Sequence, residues 1–362
     1  MKFYFICALL LICSGPACRV GDVQEFQNRL AGAYDVDSRY EFDEGFFGEL
    51  SPDWLDPAHA VETNLRSTID SRYGRSVTEA YDALARSSVQ RLISSHITGE
   101  APIWLTDIQP SLEVVDRKLA VVDVDSAMLV TEDGEDGFRV RQMWQGISTF
   151  DDPECPTSGA ILCPQTRFSI DTLLDSEYPL DIVTSDQRLT IEGERADLAG
   201  HNVSLNYGRL GLYMLVNQVL PDTPSKNLGL RDVVLAAVNC RGLASRVTGG
   251  QESWTLDVGG VAIGIDLEEI IGSCQEGVLA EVNRVVDRFS VPMEMELSGS
   301  ALLVDTSRDG SIDQFTRGNL GGTRQLEVPA GIVQDSFSGR FVGFRVDESP
   351  TIEPVEAETV DE

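Results

Sequence analysis

Asp305, Ser307, Asp309 and Asp313 occupy positions 1, 3, 5 and 9 of the acidic stretch DTSRDGSID, with Gly310 at position 6. Oxygen ligands at that spacing around a turn-forming glycine let a short loop wrap a hard cation, and calcium is the ion it would take. Thr316 stands where an EF-hand carries its bidentate glutamate, and Arg308 adds a positive charge, so the ligand set is incomplete. The same residues describe an acidic hairpin turn with Asp309-Gly310 at its tip, needing no ion. Calcium is one reading of 305–313, and a chain without a cofactor is the other.

Catalytic chemistry has little to work with. His59, His96 and His201 are far apart and form no HExxH pattern, and there is no GxSxG elbow, phosphate loop or GxGxxG. His96 falls on a helical stripe beside Leu92, a packing position. With 59 acids in the chain, pairs of carboxylates carry no information about acid–base catalysis. No catalytic residue is assigned, and a non-enzyme is expected.

Seven cysteines give a sharper signal. Lys2 precedes an apolar run from Phe3 to Cys13, followed by Ser14-Gly15-Pro16-Ala17 and Cys18. A positive start, a short greasy core and small residues make residues 1–17 a secretory signal peptide, too short for the roughly 20 apolar residues that span a bilayer. Cleavage after Ala17 would leave Cys18 either as a free or intermolecular thiol or, if GPAC serves as a lipobox, as the acylated first residue. Removing Cys7 and Cys13 leaves five cysteines, Cys18, Cys155, Cys163, Cys240 and Cys274, and an exported chain with an odd count needs a use for one. Lipid on Cys18 lets the other four pair in an oxidising compartment. Proximity favours Cys155–Cys163 and Cys240–Cys274, although four cysteines allow three connectivities. Arg19, not aspartate, follows Cys18, which by analogy with enterobacterial sorting sends the lipoprotein to the outer membrane.

The chain is 362 residues long and 42% hydrophobic, enough for two globular modules. Its formal charge is −31, a field that repels nucleic acid and anionic headgroups, so no nucleic-acid partner is expected and the membrane is met through the N-terminal lipid.

After a tether at 18–30, a first module is expected over 31–150. It opens with a strand in which Tyr34, Val36, Tyr40 and Phe42 alternate with Asp35, Asp37, Arg39, Glu41 and Asp43. Asp56-Pro57 caps a helix carrying Val61, Leu65 and Ile69 and stopping at Gly74. A second helix runs through SVTEAYDALARSSVQRLISSHI, with Ser76 and Glu79 as its capping box and Val77, Tyr81, Leu84, Leu92 and His96 on its stripe. Residues 111–149 read as β-structure with a turn at 133–137. A connector at 151–185 carries the first cysteine pair, and a second module over 186–346 repeats the order. It has a strand at 187–198, an apolar helix at 206–220, a long helix from Asp266 with Glu269 as its capping partner, and strands from Pro292 to Val346. Residues 347–362 hold seven acids and no base and form a disordered tail. SAMLVTEDGEDGFRVRQMWQGIST at 126–149 overlays SALLVDTSRDGSIDQFTRGNLGGT at 300–323 without a gap, the mark of a duplication or of two hairpins sharing Asp-Gly turn chemistry. The expected fold is α+β, with long amphipathic helices packed on curved antiparallel sheets in two related modules.

The lipobox-like start, YDVDSRYEF, the CRGL and SCQEGV cysteine pair and the DTSRDGSIDQFTRGNLGGT hairpin resemble uncharacterised secreted lipoproteins of the myxobacterial type. That resemblance implies an envelope location and supplies no catalytic residues. The order of elements is also similar to the tubular lipid-binding superfamily, in which curved sheets wrap long helices around an apolar tunnel. Two functions are therefore expected. One is a non-catalytic cell-envelope lipoprotein binding an apolar or lipid ligand between helix and sheet. The alternative is a structural or interaction protein of the surface, stapled by disulfides and by calcium if the loop is filled. An exported hydrolase is third.

Overall fold

The computed structural model describes residues 30–346, apart from 44, 48–54, 101, 134–136, 153, 156–162, 175–178, 221–228, 259–260 and 329–330. The expected signal peptide at 1–17, Cys18 and the expected tether up to residue 29, and the acidic segment 347–362 lie outside the described residues.

Alternation builds the first strand, β1 (Gly32–Phe42): Tyr34, Val36, Ser38, Tyr40 and Phe42 are buried, while Asp35, Asp37 and Glu41 face solvent. Five helices follow among the described residues. In α1 (Pro57–Tyr73) Asp56 accepts from the His59 amide at 3.1 Å, Val61, Leu65 and Ile69 are buried, and Gly74 ends the helix, as its sequence predicts. The single second helix is a finding against expectation. It is two, α2 (Arg75–Leu84) and α3 (Arg86–Glu100), hinged at Ala85. No side chain caps α2, and Glu79 instead pairs with Arg75 at 3.0 Å, so the Ser76 capping box does not form. The break also takes Leu84 off the apolar stripe and leaves it 66% exposed. Beyond α4 (Ile103–Thr106) comes α5 (Gln109–Leu119), which corrects the β reading of 111–119. Pro110 sits in its first turn, and Leu112, Val115 and Leu119 recur at helical spacing on one buried face.

β2 (Val121–Glu132) and β3 (Phe138–Phe150) form a hairpin closed where the Asp133 amide donates to Gly137 at 2.9 Å. Then come β4 (Gln165–Ser169), α6 (Ile170–Leu174), β5 (Ile182–Thr184), β6 (Gln187–Glu192) and β7 (Arg195–Asn206). A second helical insertion follows, with α7 (Tyr207–Met214) running into a wider π-turn at Leu215–Val219, then α8 (Leu230–Val238) and α9 (Cys240–Thr248). The hairpin β8 (Ser253–Val258) and β9 (Val261–Asp266) leads to α10 (Leu267–Arg288), whose Asp266 and Glu269 form the expected capping box. β10 (Pro292–Val304), β11 (Gln314–Val328) and β12 (Gly331–Val346) complete the chain.

Eight strands close an antiparallel barrel in the order β10-β11-β12-β1-β2-β3-β6-β7, with β7 returning to β10. Strands from both halves of the chain thus share one sheet. The circuit divides into β1-β2-β3-β6 and β7-β10-β11-β12. Within each set the first two strands pair antiparallel across a helical insertion, 43–120 in one and 207–291 in the other. The overlaid segments 126–149 and 300–323 fall on β2-β3 and β10-β11, which hold equivalent places in the two sets.

An eight-stranded barrel is just wide enough for side chains to fill. At one end Tyr40, Phe42, Trp144, Met293, Met295 and Phe337 join one apolar cluster with the helices. At the other, Tyr34, Met128, Phe138, Leu303 and Phe315 form a second cluster. A polar belt of Ser38, Ser126, Gln142, Gln187 and His201 crosses the lumen between them. The two insertions pack against each other chiefly through α1 and α10. Gly277 permits this approach, since a β-carbon there would lie 2.7 Å from the Ala60 carbonyl oxygen.

Candidate functional site

The outward residues of β12, β1, β2 and β3 line an open groove of about 440 Å³ on the barrel wall, within the size range of small-ligand sites. Strand register sets its two rows. Arg340, Arg39, Asp123, Ser148 and Arg167 stand side by side on β12, β1, β2, β3 and β4; Val342, Asp37, Asp125 and Gly146 form the next row on the first four strands.

Two ion pairs brace the floor. Arg39 forks onto Asp123 at 2.6 and 2.8 Å, and its guanidinium lies 5.0 Å from the Phe150 ring. The bond to Asp123 holds the Arg39 guanidinium above its ordinary pKa against the opposing effect of burial. Gln165 donates to the same carboxylate at 2.6 Å. Arg167 reaches across Gly146 to Asp125 at 2.6 Å, and a β-carbon on Gly146 would sit 2.9 Å from its Nε, so the glycine leaves the guanidinium this path.

Three charged groups line the groove without a salt bridge among the described residues: Asp37, Arg317 and Arg340. Burial first, then the carboxylates of Asp125, Asp35 and Asp123, push the Asp37 carboxyl above its usual pKa. Arg317 sits in a β-bulge, where the β11–β12 register shifts between Phe315 and Gly318, and its φ is 50°. The left-handed region costs a residue other than glycine about 1–2 kcal/mol, and bulges re-aim side chains at functional sites. The neighbouring Gly318 makes the bulge feasible, because a β-carbon there would approach Phe341 Cδ1 to 2.5 Å.

The groove's lining sets two arginine–carboxylate pairs beside three charges that form no salt bridge among the described residues. The histidines lie elsewhere. His96 is buried with Nε2 3.1 Å from the Val238 carbonyl, in keeping with a packing position, and His59 caps into α1 through its amide. His201, unremarked in the sequence beyond its isolation, lies in the barrel lumen. Its Nδ1 donates to the Ser185 carbonyl at 2.9 Å, its Nε2 has no partner among the described residues, and burial lowers its pKa to about 4.

Of the expected site residues, the four later cysteines meet as predicted: Cys155–Cys163 and Cys240–Cys274 are disulfides, the second joining α9 to α10. Cys18 lies outside the described residues. Asp305, Ser307, Asp309 and Asp313 share one loop, but its carboxylates are turned onto the loop's own donors. Asp313 accepts from the Thr306 and Ser307 amides at 2.9 and 3.0 Å, Asp305 from the Arg308 and Gly310 amides at 2.5 and 2.8 Å, and Asp309 from the Ser311 amide at 2.8 Å. A calcium ion would compete with those amides. Among the described residues no three His, Cys, Asp or Glu side chains are grouped to hold a metal.

The wide apolar faces of 206–220 and 265–289 are absorbed by packing. Phe47 stacks on Phe289 at 6.1 Å and lies tilted against Tyr207 at 5.4 Å, and Leu212, Met214, Cys274, Val278 and Val285 are buried.

The groove residues were missed in the sequence, although a signal is present: Asp-Val-Asp-Ser occurs at both 35–38 and 123–126. In the barrel these tetrads lie antiparallel, with Asp37 opposite Asp125, valines and serines inward and acids outward. The class defined here is an α+β protein built on an eight-stranded antiparallel barrel with two helical insertions. No known family model, curated protein or solved structure matches the chain.

Proposed function

We propose that this is a non-catalytic cell-envelope protein, held to the outer membrane by lipid on Cys18, that recognises its ligand through the groove on the barrel wall. The observation carrying this reading is the set of unengaged charges, Asp37, Arg317 and Arg340, around a braced floor on a rigid sheet. Binding sites on strands hold their geometry better than sites on loops. The interaction reading therefore takes precedence over a lipid between helix and sheet, where packed side chains occupy the space. The matched strand order of the two barrel halves, with the overlaid hairpins in equivalent places, supports a duplication as the origin of the barrel.

Melting temperature, measured with Cys18→Ser protein against one panel of polar metabolites and another of fatty acids and phospholipids, tests the groove. A ligand at 100 times its Kd stabilises the folded state by about 2.7 kcal/mol. Polar compounds are expected to raise the wild-type melting temperature and not that of Val342→Trp, which fills the groove from its outer row. A rise with apolar compounds alone, unchanged in Val342→Trp, would transfer the function to the helix–sheet interface. The anchor has its own readout: intact mass of native protein should show acyl chains on a chain beginning at Cys18, and an unmodified Cys18 removes the membrane attachment.

A further inference from the structure

We propose that the groove binds a small zwitterion of the amino-acid or short-peptide class, its carboxylate on Arg317 and Arg340 and its ammonium on Asp37. This rests on the groove being the recognition site and specifies what it takes.

The charge pattern carries the argument. Acids exceed bases 59 to 28 over the whole chain, yet the groove gathers Arg39, Arg317 and Arg340, with Arg167 at its edge. Two of these four are spent on Asp123 and Asp125. Arg317 and Arg340 keep their donors for a ligand, and a planar guanidinium fork matches a carboxylate better than any other side chain does. A backbone held at positive φ in the bulge presents Arg317 there, and conformations of that kind persist where a ligand contact is made.

Asp37 supplies the opposite pole. Register places it opposite Val342, while Arg340 lies opposite Arg39, so Asp37 and Arg340 are diagonal neighbours on adjacent strands, about 7–8 Å apart. That spacing is between backbones; among the described residues the two side chains form no salt bridge with each other, and both line the groove in which a ligand with its own charges a few ångströms apart would lie. Burial first and then the carboxylates of Asp125, Asp35 and Asp123 disfavour charge on Asp37 by more than Arg167 favours it, and a cation delivered by the ligand relieves that balance. A purely anionic ligand would meet Asp37 as a like charge, and a purely cationic one would meet the two arginines. A ligand with both poles satisfies all three groups.

Titration calorimetry on the mature chain carrying Cys18→Ser, with alanyl-alanine, its N-acetyl form, its C-terminal amide and potassium phosphate as probes, decides the matter. Free alanyl-alanine is expected to bind, with each capped form at least tenfold weaker. Asp37→Asn should erase the difference between free and acetylated dipeptide while leaving the difference from the amide. The paired change Arg317→Gln with Arg340→Gln should do the reverse. All three positions are exposed, and unchanged melting temperatures establish that the variants fold. Capped dipeptides binding as well as the free one, or phosphate binding as well alone, overturn the zwitterion; the groove reading then stands if Val342→Trp abolishes that binding. Absence of binding by all four probes overturns the zwitterion also, and the metabolite panel then judges the groove by itself.

Discussion

Replacing Arg324 by methionine should lower the unfolding free energy by about 3–5 kcal/mol, read as a lower urea midpoint at unchanged slope. Arg324 is the largest of the fully buried side chains, 1% exposed, on β11 directly opposite Asp335 of β12. Its Nε donates to Asp335 at 2.9 Å and its Nη2 to the second carboxylate oxygen. The guanidinium also lies over the Phe42 and Tyr207 rings, at 4.5 and 5.5 Å from their centroids, where barrel meets helical insertion. Methionine fills much of the volume but leaves the Asp335 carboxylate partly buried with no cation, and that uncompensated charge is the main cost. The double replacement Arg324→Met with Asp335→Leu should therefore recover most of the loss. Arg324→Lys should fall between, keeping the charge and losing the fork. A cost below about 1 kcal/mol for Arg324→Met would mean that the pair contributes no more than a surface ion pair.

Acid should unfold the protein through His201. The side chain is 3% exposed among uncharged groups, the glutamines and serines of the polar belt, and burial depresses its pKa to about 4. An unfolded histidine titrates near 6.5, so between pH 6.5 and 4 the unfolded chain binds the proton and the folded one does not. Stability is complete above pH 6.5 and falls with pH through that window, by about 3 kcal/mol in all, because a tenfold difference in proton affinity between the two states is worth about 1.36 kcal/mol. His201→Gln keeps a hydrogen-bonding side chain of similar size and should flatten this part of the stability–pH curve. Carboxylates that titrate at lower pH remain in both proteins. A variant whose curve between pH 6.5 and 4 parallels the wild type would place the acid sensitivity in another group.

Local chemistry determined a good deal of this molecule from the sequence alone. The Asp56-Pro57 start, the Asp266 and Glu269 capping box, the alternation of β1 and the Cys155–Cys163 pairing depend on residues close in the chain, and each is found where its pattern places it; Cys240–Cys274, 34 residues apart, follows from counting the cysteines left to pair. Errors came where periodicity was ambiguous or a local signal competed with packing. Residues 111–119 carry enough branched apolar side chains to resemble a strand, yet tertiary burial of Leu112, Val115 and Leu119 makes them a helix. Ser76 has the residue type for a cap, but the chain enters α2 through Gly74 at φ 81°, two residues earlier.

Only the tertiary structure decided which strands meet. β7 pairs with β10 and β1 with β12 across long stretches of chain, so closure of the barrel depends on contacts that no sequence window contains. Closure in turn sets the groove: strand register brings Arg340 beside Asp37, and the β11 bulge adds Arg317 to the same wall. It also turns His201 into the lumen, because Gly200, at φ 72°, sits where the β7–β10 register shifts and residues 199 and 200 both face out. Side-chain periodicity of two says that a strand has an inside, but the choice of neighbours, and so of chemistry, belongs to the closed sheet.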